Sequence, residues 1–274
     1  MRLGLVVAAL TITTPALAHD QWLEPTTAIV PAGTKAEVRL FVGEDLKSDE
    51  EKAFERAKFT RLSIASRNGP IDLLGALTEG AKPVVVVDRL GDGEFLVAAD
   101  RAPVHIELTP EKFEAYLKEE SLEPIIKERA KRGESKNPGR ERYMRFLKSL
   151  VHVGHDAPHG LATNVLGQKL EIVLDRAPTA TAKIAGRVLF DGRPLADVAV
   201  DLHVRSKDGK VSSHRANTTP DGKVTFPILG AGFAEARLVH MRRCVSDCKD
   251  TEWESFWTSF TFTLSEPRDG SGKH

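Results

Sequence analysis

Cysteine is almost absent from this 274-residue chain, with Cys244 and Cys248 the only two. That is too few for a disulfide framework, and a bridge between them would close a loop so short that its effect is local. Neither sign of charge is in excess, 39 basic against 39 acidic side chains, so nothing selects for nucleic acid or an anionic membrane surface. Beyond the first eighteen residues no apolar run resembles a membrane span, and even that first run is too short to be one. GxSxG, HExxH, GxGxxG and Walker patterns are all missing, which points to a binding protein and not an enzyme.

What is present begins at the amino terminus. Arg2 is the only charge before an apolar run from Leu3 to Leu10, and the segment ends in Ala16-Leu17-Ala18, an A-x-A cleavage signal. Residues 1–18 are therefore expected to be a signal peptide removed on export to the periplasm, leaving His19 as the first residue of the mature chain. A terminal histidine carries an α-amine with a reference pKa of about 8 and an imidazole with one of about 6.5. A divalent Ni, Co or Cu ion displaces the remaining protons near neutrality and closes a chelate ring on that single residue.

The rest of the chain reads as mainly β. Ile29–Leu40 has a strand, a Pro-Ala-Gly turn and an alternating strand, and further β runs follow at Lys58–Ile64, Pro83–Val87, Gly93–Ala98, His105–Leu108 and Gln168–Leu174. The period then lengthens: Thr109-Pro110-Glu111 opens a helix, Ser121–Pro124 restarts it, and Asn137-Pro138 predicts a third helix with Tyr143, Phe146, Leu147 and Leu150 as its apolar stripe. After Asp175–Thr181, a plausible linker, alternating strands are punctuated by Asp191-Gly192, Asp208-Gly209 and Asp221-Gly222 turns. These patterns predict an N-terminal β-sandwich domain over 19–178 with a helical insertion at about 109–150, a second β-sandwich over 179–266 with one strand short or lent by the first, and a disordered tail over 267–274.

Several segments together carry a resemblance: His19–Pro25, Glu111–Leu117, Arg132–Ser135, Pro138–Tyr143 with Lys148, Val239-His240-Met241, and Trp253–Trp257. In these the chain resembles the NikM-like family of exported bacterial proteins, whose members carry a domain of unknown function and are often labelled periplasmic components of nickel or cobalt uptake. The last domain is similar to carboxypeptidase-regulatory-like and transthyretin-like sandwiches, through Gly186–Val188, Pro194-Leu195 and Thr219–Phe226. The resemblance implies an Ig-like or transthyretin-like fold and says little about activity.

The candidate metal ligands are His19, with His240 as the third nitrogen, Met241 as a soft thioether, and Asp20 and Glu24 as oxygen donors. A secondary cluster, His152, His155 and His159, places three imidazoles within eight residues. For Cys244 and Cys248 an oxidising compartment favours a disulfide; Cu(I) ligation with His240, or two free thiols, are the alternatives. The expected function is metal capture or delivery at the cell envelope, with a metal ion and an envelope transporter or receptor as partners. A metal-free interaction module and a histidine-brace copper redox enzyme are the rival expectations.

Overall fold

The computed structural model describes residues 19–88, 90–154, 160–180 and 182–265; the expected signal peptide and tail lie outside them. In the N-terminal half the strands are β1 (Asp20–Pro25), β2 (Ile29–Val30), β3 (Ala36–Glu44), β4 (Lys47–Lys52), β5 (Phe59–Ser66), β6 (Gly69–Asp72), β7 (Val85–Val87), β8 (Gly93–Arg101) and β9 (Val104–Leu108). Helices α1 (Pro110–Glu119) and α2 (Glu123–Lys131) follow, then β10 (Gly139–Val153) and β11 (Leu170–Leu174). The C-terminal half has β12 (Ile184–Phe190), β13 (Arg193–Pro194), β14 (Ala199–Arg205), β15 (Val211–Asn217), β16 (Lys223–Phe226), β17 (Gly232–Arg243) and β18 (Trp253–Leu264). The fold is mainly β and sandwich-like, as the alternation predicts.

A ten-stranded sheet ordered β15-β14-β17-β18-β10-β8-β5-β6 runs through both halves, with β2 and β9 added to β10. Its central neighbours, β10 and β18, are parallel, with Glu141 opposite Trp253 and Ser149 opposite Thr261. Two four-stranded sheets cover it, one of β1, β3, β4 and β7, the other of β11, β12, β13 and β16. They lie on opposite faces. Along β10, Phe146 and Leu150 join the core beneath the second small sheet, while Leu147 and Val151 join the core beneath the first, as the two-residue period of a strand requires. β11 precedes the linker yet pairs with β12, so the first half lends the second a strand.

The helical insertion is shorter than expected. Thr109 caps α1 through its hydroxyl, with Pro110 next, and Gly133 follows α2 in the left-handed conformation that ends helices. Residues 139–153, expected to be a third helix, form β10 instead. Phe146, Leu147 and Leu150 mimic a helical stripe because β10 is covered on both faces, so buried residues occur without strict alternation. Gly139 marks the change: a Cβ there would stand 2.2 Å from Cγ of Phe113, so only glycine lets the strand pass under α1. Among the described residues no helix is long and apolar enough to cross a membrane.

Candidate functional site

β1 pairs antiparallel with β3, Asp20 opposite Gly43, and also lies across β18, where Ser259 Oγ donates to the carbonyl of Gln21 (3.0 Å) and Thr261 Oγ1 to that of Leu23 (2.6 Å). His19, one residue before β1, is thereby set beside the β3–β4 hairpin. Its Nε2 is 3.1 Å from Asp49 Oδ2 and 4.0 Å from Glu44 Oε1, and Arg145 Nη1 donates to its carbonyl oxygen at 2.9 Å. Nδ1 of the same ring is buried and has no hydrogen-bond partner. The Asp49 contact calls for a proton on Nε2, and in the neutral ring with that tautomer the lone pair falls on Nδ1, the nitrogen nearer its own main chain.

The other candidate ligands are occupied elsewhere. Asp20 Oδ1 is 2.7 Å from Arg237 Nε; burial outweighs that cation and pushes the Asp20 carboxyl up to about 7. Glu24 pairs with Arg205 and accepts from Trp22 Nε1 at 2.9 Å. Met241 is buried in the apolar cluster formed with Phe113, Trp253 and Trp257. His240 sits opposite Phe256 in register, with its ring 4.7 Å from that of Phe190, and burial together with Arg242 pushes it down to about 4. Phe256 points into the core under the second small sheet, whereas β1 rests on the odd-numbered face of β18 defined by Ser259 and Thr261. The structure therefore does not bring His19 and His240 together: a sheet stands between them.

His152, on β10, contacts Glu94 at 3.5 Å, while His155 and His159 lie outside the described residues. Cys244 and Cys248 are joined by a disulfide with Cα atoms 5.7 Å apart, and Arg142 Nη2 donates to Ser246 O inside their loop at 2.9 Å. Among the described residues no group of three or more His, Cys, Asp or Glu side chains is arranged to hold a metal ion. A metal at His19 thus needs a main-chain donor, the α-amine that signal cleavage would expose.

Next to His19, and sharing Glu44 with it, opens a cleft of about 340 Å³ whose walls carry six carboxylates, those of Asp20, Glu44, Asp45, Glu119, Glu120 and Asp201, against the guanidinium groups of Arg215 and Arg237. Arg237 is the hub, 2.7 Å from Glu120 Oε2 and 3.4 Å from Asp201 Oδ2 in addition to Asp20. Arg215 grips both oxygens of Asp201 (2.6 and 2.7 Å). His203 Nδ1 meets Ser213 Oγ at 2.8 Å and Asp45 Oδ1 at 3.4 Å. Beneath the cleft, fully buried Glu235 has no partner for either carboxylate oxygen. Sequence reasoning missed this network. Its available signal was polar residues on one face of otherwise apolar strands, Asp201 and His203 in β14, Glu235 and Arg237 in β17.

A family model described as a domain of unknown function, DUF4198, matches residues 16–241. The chain belongs to the DUF4198 family. The matched region of this DUF4198 protein takes in β1, His19 and the whole cleft. No curated protein matches the chain. Among solved structures, a tetra-tandem repeat from the extending region of a large adhesion protein aligns at 12% identity and a TM-score of 0.22, over 90% of this chain and 49% of that one, so the chain spans about half its length.

Proposed function

We propose that this DUF4198 protein is an exported metal-binding protein that captures a divalent nickel, cobalt or copper ion at the cell envelope for delivery to an envelope transporter or receptor, and that its site is built on His19 as first residue of the mature chain. One observation carries the reading: Nδ1 of His19 is buried without a partner while Nε2 is held by Asp49. A carboxylate on the outer nitrogen is the usual support for a metal-ligating imidazole, fixing its tautomer and raising its basicity. Nδ1 and the α-amine of one residue close a six-membered chelate, while Asp49 and, farther off, Glu44 stand at Nε2 on the opposite edge of the ring and support the ligand from outside. Two nitrogen donors suit a divalent first-row ion better than Cu(I), which prefers sulfur. The resemblance to NikM-like proteins points the same way. His240 and Met241 are left out of the site, since Met241 is buried in a core and the His240 ring packs on Phe190 and Phe256 on the other face of the sheet.

The test is to confirm the mature terminus by mass spectrometry and titrate the protein with Cu(II), Ni(II) and Co(II) by calorimetry. A His19→Ala variant and a variant keeping one residue ahead of His19 are titrated beside it. Stoichiometric binding lost in both variants is expected. Equal binding in all three proteins overturns the site, and no binding in any overturns the function.

A further inference from the structure

Under β1, next to the open cleft and sharing Asp20 and Arg237 with it, lies a small chamber of about 10 Å³ whose lining includes Asp20, Gln21, Arg145, Glu235, Arg237 and Ser259. Three groups on its wall have polar atoms that are buried and without partners: both carboxylate oxygens of Glu235, Oε1 of Gln21 and Nε of Arg145. Leaving such groups unsatisfied costs about 1–3 kcal/mol each, more for a charge, and the volume is close to the minimum that one water molecule needs. With Glu235 protonated these atoms present two donors, its O–H and Arg145 Nε–H, and two acceptors, its other oxygen and Gln21 Oε1, so the occupant must donate two hydrogen bonds and accept two. A metal cation is a poor occupant, because the guanidinium groups of Arg145 and Arg237 share the wall.

We propose that this chamber is a binding site for one water molecule, held by a protonated Glu235, the Gln21 side-chain oxygen and Arg145 Nε–H, and that it makes the docking of β1 proton-dependent. The surroundings explain why the proton is required. Glu235 faces Asp20 and Glu24 on β1 and Asp45 at the β3–β4 turn, with Arg237 beside it on β17, His203 across from it on β14, and Thr261 across from it on β18. Arg237 is already shared among Asp20, Glu120 and Asp201. A charged Glu235 would be fully desolvated and push against three carboxylates, two of them on the strand it supports, with the shared Arg237 alone to offset them. Burial and Asp20 hold its carboxyl well above the ordinary glutamate range. A group raised in this way leaves stability intact below its unfolded value and removes it as pH climbs toward the folded one.

The experiment is hydrogen exchange at the β1 amides from about pH 5 to about pH 9, on the whole protein and on Glu235→Gln, which keeps shape and hydrogen bonding but cannot ionise. Within the transition, wild-type protection relative to the variant is expected to fall roughly tenfold per pH unit. An infrared band of a protonated buried carboxyl should be present in the wild type and lost in the variant, and a high-resolution crystal structure should show the water touching Glu235, Gln21 and Arg145. Parallel exchange profiles in the two proteins, no such band, or an empty chamber would each overturn the proposal.

Discussion

At the scale of single residues, the two histidines singled out by sequence have opposite fates. His240→Ala is expected to leave metal titrations unchanged and to cost about 1–3 kcal/mol in urea unfolding, because the ring packs against Phe190 and Phe256. His19 stands out in the sequence because the Ala16-Leu17-Ala18 pattern before it is local. Its neighbours do not, since Asp49 and Arg145 reach it only through strand pairing. A second buried pair also escaped notice. Lys148 Nζ is 2.9 Å from Glu171 Oε1, both side chains about 1% exposed, and Glu171 also accepts from the backbone N–H groups of Leu166, Gly167 and Gln168. Glu171→Leu strands a buried ammonium and three amides, with an expected loss of about 3–5 kcal/mol. Lys148→Met leaves a carboxylate that still has its three amide donors, and is expected to cost less. Chemical denaturation of the two variants gives the order.

At the scale of elements, β10 is where the sequence misled, because a strand buried on both faces loses the alternation that identifies strands. Strands with one wet face such as β12, β14 and β15 were read with nearly correct limits, whereas β1 and the edge strands β4 and β6 were not read. Gly139→Ala tests the structural assignment. In a third helix it would be neutral or helpful, whereas under Phe113 it must displace a ring, with an expected loss of about 1–3 kcal/mol in thermal unfolding. The disulfide belongs to this scale too. Cys244 and Cys248 are four positions apart, so chain entropy predicts a contribution of about 2 kcal/mol. Replacing both by serine should loosen exchange in the β17–β18 turn and leave the remaining strands protected.

At the scale of the whole molecule, the parallel pair β10–β18 makes one sheet of two halves, so calorimetry is expected to show a single cooperative transition, and fragments divided at 178/179 should fail to fold separately. Glu141, on β10 beneath Tyr116 and Ser255, is pushed up to about 7 chiefly by burial. As a carboxyl raised in the folded state, it holds its stabilising effect at pH below about 4.5 and loses it as pH rises to about 7, so Glu141→Gln should flatten the fall in melting temperature across that interval. The lent strand was legible in the sequence, but the β10–β18 pairing was not, because which strand lies beside β10 is decided more than a hundred residues away. That distance has a temporal meaning. Among the described strands the last, β18, is a central one, so a chain emerging from a ribosome lacks the middle of this sheet until β18 has been added. Vectorial synthesis thus leaves the two halves of the sheet unjoined until β18 arrives to lie beside β10 and β17.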